Sequence, residues 1–239
     1  MKTLAVSISL LLFLGVMTGC SSDRLTEETK QQATQVQEKL DAESPKTKPA
    51  PAAEAAKAAE PAEQTSAKPD IFKVAFETTK GAFTVEVHRD WAPNGADRFE
   101  QLVRSGFFNG NKFFRVVPGF VVQWGLCGDP VKDGEWRQKT IKDDLVKQSN
   151  TEGMVTFAAS GQKDSRSTQV FINFKNNANL DRMGFAPIGK VIDGMDVAKS
   201  INAEYREKPD QMRIAMEGNK YLEEKFPDLD YIKSAVIIE

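Results

Sequence analysis

The stretch Val74-Ala75-Phe76-Glu77-Thr78-Thr79-Lys80-Gly81-Ala82-Phe83-Thr84-Val85-Glu86-Val87 decides the fold class. Val74 and Phe76, then Phe83, Val85 and Val87, alternate with polar residues, the period-two pattern of half-buried strands. Lys80-Gly81 between them supplies a tight turn and predicts an opening hairpin. Downstream, Pro93 starts a helix in which Phe99, Leu102 and Val103 recur at helical spacing up to Gly106. Short strands are predicted at 112–117, 120–124, 154–159, 169–173 and 186–192, and a closing one at 234–238. Further helices are predicted at 195–203 and around 211–226. Short strands with two or three helices between them predict a mainly β domain. We expect a closed antiparallel barrel of about eight strands capped by two or three α-helices. The strand–helix alternation of a parallel sheet is absent, and so is any internal repeat.

Upstream of the hairpin the chain changes character twice. Residues 1–19 begin Met1-Lys2-Thr3 and continue through an apolar run, Leu4 to Met17, to Thr18-Gly19, the pattern of an export signal. The run is shorter than the roughly 20 residues a membrane-spanning helix needs. Cys20 after Thr18-Gly19 resembles the lipobox of bacterial lipoproteins, with Met17 where that group prefers leucine. The resemblance implies that Cys20 is lipidated and that Ser21 behind it favours outer-membrane sorting. The alternative is a plain secretory signal with an incidental cysteine. From Ser21 to Pro69 there is no Phe, Trp, Tyr or Gly, and 46–69 is almost wholly Ala, Pro, Lys and Glu. Such a segment buries too little apolar surface to oppose its own ordering entropy, so 20–69 is expected to be a tether. Residues 70–239, which hold every aromatic except Phe13, are expected to fold as one domain.

Composition removes several functions. The 239 residues carry 32 Lys+Arg against 34 Asp+Glu, a net charge of −2, which argues against a nucleic-acid partner. Two cysteines and one histidine cannot make a four-ligand zinc site, and no metal or other cofactor is expected. Any Ser-His-Asp or Cys-His chemistry would have to pass through His88, which reads as a surface strand residue. Cys127 is left without a partner once Cys20 is acylated, and Asp143-Asp144 reads as a solvated turn.

Three separated runs carry more information. The first is Phe113-Phe114-Arg115-Val116-Val117-Pro118-Gly119-Phe120-Val121-Val122-Gln123. The second is Phe157-Ala158-Ala159-Ser160-Gly161 followed by Ser167-Thr168-Gln169-Val170-Phe171-Ile172-Asn173. The third is Asn179-Leu180-Asp181 with Gly184-Phe185-Ala186-Pro187-Ile188-Gly189-Lys190-Val191. Each alone reads as core strands and loops. In this order they resemble the cyclophilins, peptidyl-prolyl cis–trans isomerases whose runs read Phe-His-Arg-(Ile/Val)-Ile-Pro-Gly-Phe-Met-x-Gln-Gly, Met-Ala-Asn-Ala-Gly with Gln-Phe-Phe-Ile, and Leu-Asp-Gly with Phe-Gly-x-Val.

The resemblance implies a cyclophilin-like barrel and an isomerase acting on proline-containing polypeptides. Arg115 would be catalytic, with Gln123 orienting it. Phe114, Phe120, Val121, Phe171, Leu180 and Phe185 would contribute to the apolar substrate site, Ala158 and Ala159 would contact the substrate backbone, and Gln169 the residue before the proline. Phe114 stands in place of the family's histidine, Val121 in place of methionine and Ala159 in place of asparagine. Asn179 and Phe185 stand where many eukaryotic members carry tryptophan and histidine, and these departures bear on cyclosporin affinity and peptide preference. The X-Pro bond turns over in tens to hundreds of seconds because rotation breaks C–N resonance. Turning it faster needs no nucleophile or base, only groups that bind the twisted amide better than the planar one. Arginine suits this: it is always charged and holds two acceptors in one plane. The expected protein is therefore a monomeric, lipid-anchored isomerase of exported or envelope proteins, touching the membrane only through its anchor. The alternative is a non-catalytic chaperone or adaptor that binds proline segments on the same fold, and a third class is a structural envelope lipoprotein.

Overall fold

The computed structural model describes residues 69–238. The expected signal segment, Cys20 and nearly all of the tether lie outside the described residues. The opening hairpin is present, with β1 at Ile71–Thr78 and β2 at Gly81–His88 in antiparallel register, Phe76 opposite Phe83 and Val74 opposite Val85. The remaining strands are β3 Arg115–Val117, β4 Val121–Trp124, β5 Met154–Phe157, β6 Val170–Asn173, β7 Pro187–Asp193 and β8 Ile232–Ile238. They form one antiparallel sheet in the order β3-β4-β6-β5-β7-β2-β1-β8, curled as a half-barrel. The expected closure is not made by a ladder between the edge strands β3 and β8. Instead, the Gly110 N–H donates to the Ile232 carbonyl (2.7 Å), Ile232 N–H to Asn111 (2.9 Å) and Phe113 N–H to Asp230 (2.9 Å), lacing the seam ahead of β3.

The concave side holds the core, and aromatics dominate it. Phe76 and Phe83 stack at 4.9 Å, and Trp124 meets Phe76 and Phe113 edge-on at 5.8 and 5.7 Å. Such pairs add about 0.5–1.5 kcal/mol each beyond the area they bury. Helix α1 (Pro93–Arg104) packs Ala96, Phe99, Leu102 and Val103 into this core. Its N-terminus has no cap from Ala92; the Asp144 carboxylate accepts from the Asn94 and Gly95 N–H groups at 3.1 and 2.8 Å instead. That gives the Asp143-Asp144 pair a structural task in place of the solvated turn expected.

Two elements depart from the sequence reading. The region 125–153 holds a short helix, α2 (Pro130–Arg137), whose Asp129 side chain caps the Val131 and Lys132 N–H groups. After α3 (Met195–Lys199), the single helix expected near 211–226 is two, α4 (Gln211–Glu217) and α5 (Asn219–Lys225). Gly218 separates them at φ 66°, and a Cβ there would stand 2.2 Å from the Gly128 carbonyl oxygen. The close approach of these two loops breaks the helix. Beneath α4 and α5 lies a second apolar cluster of Phe114, Leu126, Ile214, Tyr221, Leu222 and Leu229.

Candidate active site

The pleat of the sheet places the site. Along β4, Val122 and Trp124 face the core, so Val121 and Gln123 face out; along β6, Val170 and Ile172 face the core and Phe171 faces out. Register then aligns Arg115 of β3 with Gln123 of β4 and Gln123 with Phe171 of β6. One row of outward side chains crosses three strands, bringing together residues that the sequence scatters over 115–171. Around it opens a groove of about 670 Å³. Every expected site residue except Phe114 lines it: Arg115, Phe120, Val121, Gln123, Ala158, Ala159, Gln169, Phe171, Leu180 and Phe185.

Phe114 is corrected. It is 1 % exposed and packs with Leu126, Ile214 and Leu222 beneath the C-terminal helices, so it supports the back of the site and does not touch the groove. His88 also lies elsewhere, stacked flat on Trp91 at 3.9 Å with Nε2 3.0 Å from Glu86 Oε1.

A chain of polar contacts fixes the arginine. Arg115 Nη1 donates to Gln123 Oε1 (3.1 Å), and Gln123 Nε2 donates to Gln169 Oε1 (2.7 Å). Since arginine only donates, the Gln123 amide has one orientation, oxygen toward Arg115. The other edge of the guanidinium, Nε and Nη2, meets Glu207 Oε1 at 2.8 and 2.6 Å. The guanidinium carbon also sits 5.5 Å from the centre of the Phe120 ring. Next to it, Val121, Phe171 and Leu180 form an apolar slot bordered by Phe120, Ala158 and Phe185, with Phe185 edge-on to Phe171 at 5.9 Å.

The slot wall rests on a buried polar network that sequence reasoning missed. A two-turn 3-10 helix, Ala178–Met183, carries Leu180 and ends at Gly184. Asp181 in it accepts from the Ser149 hydroxyl (2.5 Å) and from the Asn150 N–H (2.9 Å) and Nδ2 (2.8 Å). Burial raises the pKa of this carboxyl, but the hydrogen bonds from Ser149 and Asn150 outweigh it and hold Asp181 below its usual value. Asn150, fully buried, also donates to the Phe185 carbonyl and accepts from the Thr156 hydroxyl, both at 2.8 Å, and from Asn173 Nδ2 at 3.2 Å. Asn177 Nδ2 ties the Phe120 carbonyl (3.0 Å) to the same network. On the far side of Phe185, Arg166 pairs with Asp143 and donates to the Gly184 carbonyl at 2.6 Å.

The opposite wall was equally unforeseen: Asp133 and Arg137 of α2, and Gln211, Met212 and Ala215 of α4. Burial pushes the Asp133 carboxyl up, against backbone donors from Cys127 and Gly128. Burial likewise pushes the neighbouring Cys127 thiol up to about 12, so it is an inert thiol rather than a nucleophile.

Comparison with known proteins agrees with this geometry. Residues 73–218 match the model of the family described as cyclophilin type peptidyl-prolyl cis-trans isomerase/CLD. The chain is 35 % identical over 133 residues to peptidyl-prolyl cis-trans isomerase A of Dickeya dadantii, covering 54 % of this chain and 70 % of that one. It is 30 % identical over 140 residues to isomerase B of Escherichia coli, covering 54 % and 82 %. A solved cyclophilin-type isomerase of Cryptosporidium parvum superposes with a TM-score of 0.55 at 21 % identity, covering 71 % of this chain and 98 % of that one. The chain belongs to the cyclophilin-type peptidyl-prolyl cis–trans isomerases. It is an isomerase of X-Pro peptide bonds, on the mainly β fold that the opening hairpin announced.

Proposed function

We propose that Arg115 lowers the rotation barrier by meeting the charge that develops on the twisted prolyl amide, with Gln123 holding its guanidinium in place. The observation that carries this is the position of Arg115. It is bonded on one edge to Gln123, flanked by Phe120, and lines the same groove as the apolar slot. The slot formed by Phe120, Val121, Phe171, Leu180 and Phe185 takes the proline ring. The backbone at Ala158 and Ala159 runs beside the bound peptide, and Gln169 meets the residue before the proline. As the bond twists, C–N resonance is lost and the proline nitrogen gains a lone pair. A fixed cation and the Gln123–Gln169 donors interact with that state more strongly than with the planar one, and each 1.36 kcal/mol of difference is tenfold in rate. The test is cis–trans exchange of a short X-Pro peptide followed by NMR with the full chain. Acceleration by the wild type that falls at least a hundredfold in Arg115→Ala supports the reading, and an unchanged rate in the variant overturns it.

We also propose that the clients are exported or envelope proteins, reached by a monomeric enzyme held through acylated Cys20 on a tether that frees the domain to move. The Thr18-Gly19-Cys20 cut site and the Ala/Pro-rich stretch behind it support this. Mass spectrometry of the mature N-terminus tests it: acylated Cys20 is expected, and a start elsewhere or an unmodified cysteine overturns the anchor.

A further inference from the structure

The contact between Arg115 and Glu207, beside the groove, is one that the isomerisation does not require. Two N–H groups of the guanidinium meet a single carboxylate oxygen, at 2.8 Å from Nε and 2.6 Å from Nη2. With the bond from Nη1 to Gln123, this leaves two of the five guanidinium donors for a bound peptide. The side edge of an arginine is the place where a carboxylate binds in two-point fashion, and here the protein's own carboxylate already occupies it.

The placement of Glu207 is built into the fold. The Val116 N–H donates to the Arg206 carbonyl at 3.1 Å, which sets residue 207 beside residue 115. Arg206 itself has φ 50°, a left-handed conformation uncommon for a residue with a Cβ, and it turns the chain back toward β3 at that point. On either side, the Arg206 N–H donates to Ala203 (3.2 Å) and the Lys208 N–H to Tyr205 (2.9 Å), and the Tyr205 hydroxyl bonds Asp228 at 3.0 Å. A carboxylate held over 92 residues of separation by a pinned turn is a designed neighbour of the arginine. Arg206 and Lys208, both exposed, flank it in sequence, so the local stretch carries no net negative charge. Occupation of the guanidinium edge is therefore the effect that discriminates between peptides, and bulk charge is not.

We infer that Glu207 is a specificity-determining residue: it denies the side edge of Arg115 to acidic side chains that follow the proline, so the enzyme disfavours Pro-Glu and Pro-Asp peptides. This rests on the assignment of Arg115 as catalytic. It also rests on direction. Gln169, Gln123, Arg115 and Glu207 are linked in that order by hydrogen bonds, and with Gln169 assigned to the residue before the proline, the Glu207 end of the chain of contacts is assigned to the residue after it.

The test uses three peptides, Ala-Ala-Pro followed by Lys, Ala or Glu, with exchange measured by NMR on the full chain and resolved into kcat and KM. The wild type is expected to turn over the Glu peptide about fivefold less efficiently than the Ala peptide, chiefly through KM, the upper end of what a partly exposed ion pair supplies. In Glu207→Ala the peptide's carboxylate gains the vacated edge, so the Glu-to-Ala ratio should rise to one or above. Glu207→Gln keeps an acceptor without the charge and should lie between. A Glu-to-Ala ratio that is flat in the wild type, or that stays at the wild-type value in Glu207→Ala while all three peptides slow together, overturns the proposal and leaves a purely supporting role. Failure of the catalytic assignment looks different: Arg115→Ala would then retain the wild-type rate on the neutral Ala peptide.

Discussion

Asn150 makes no contact with substrate in the proposed binding mode, yet replacing it should be costly. Its side chain joins four groups: it donates to Asp181 and to the Phe185 carbonyl, and accepts from Thr156 and Asn173. Asn150→Ala leaves Asp181 with two of its donors, the Ser149 hydroxyl and the residue-150 N–H, and leaves Asn173 its bond to the Met154 carbonyl. The Thr156 hydroxyl, fully buried, loses its partner altogether, and the Phe185 carbonyl loses its donor. Each buried polar group left unsatisfied costs about 1–3 kcal/mol, so the variant should lose about 3 kcal/mol. In a domain of this size that corresponds to a fall in Tm of about 6–12 °C, read by circular dichroism. The 3-10 helix that carries Leu180, and Phe185 just after it, are loosened at the same time, so KM for an X-Pro peptide should rise more than kcat falls. A second substitution isolates the cause. Thr156→Val placed on Asn150→Ala removes the orphaned hydroxyl and should recover about 1 kcal/mol relative to additivity. A Tm loss below about 2 °C in Asn150→Ala, or strict additivity in the double variant, would refute the claim that this network holds the slot wall.

Two further outcomes follow from groups near the groove. Phe114→Ala should lower stability by about 3–5 kcal/mol through the cavity left under α4 and α5, while KM for a short X-Pro peptide changes less than twofold; a large KM effect at unchanged Tm would restore it to the substrate site. Cys127, its thiol pushed up to about 12 by burial, should alkylate with iodoacetamide at least a hundredfold slower than a free thiol at pH 8, reaching normal rates only on unfolding; rapid native-state labelling would refute the inert assignment.

What could be read from the sequence, and what could not, divides along physical lines. The hairpin was legible because each of its strands buries one face on the core, and a period of two records that directly; β4 and β6 are buried on both faces and read only as short apolar runs. Arg115, Gln123 and Phe171 were picked out by the family resemblance of their runs, whereas the single outer row they share is set by the register of three strands, which the sequence does not show. Phe114 was misplaced because its neighbour in sequence is Arg115, the arginine of the resembling run, whereas its burial is decided by α4 and α5, about a hundred residues later. Helix α2 was missed because PVKDGEWR has no apolar stripe; the Asp129-Pro130 cap was its one local signal. The break at Gly218 depends on the Gly128 carbonyl passing close by, a contact between distant loops that neither segment encodes alone. Glu207 and Asn150 belong to the same class. A polar residue in a loop looks solvated until the fold shows what it faces.

The distribution of rigidity in the groove fits the reaction. A barrier lowered by differential binding is sensitive to the position of a few atoms, because an interaction equally good in the planar and twisted states adds nothing to the rate. The groups proposed to lie nearest the bond are held accordingly. Gln123 is 5 % exposed with both ends of its amide engaged, Arg115 is bonded on two edges, and the strands behind them are backed by the Trp124 aromatic cluster. The rim is different. Met183 beyond the slot and Met212 on α4 are 65 % and 72 % exposed, with unbranched thioether side chains that fit many shapes. Clients of a prolyl isomerase have in common the proline and the peptide unit before it. A fixed centre reads that shared feature, and an adaptable rim accommodates the side chains that differ. Glu207 differs from these methionines in carrying a charge, paired with Arg115 while its side chain stays 59 % exposed, so on the proposed reading selectivity at the groove edge should follow the sign of the residue after the proline more than its size.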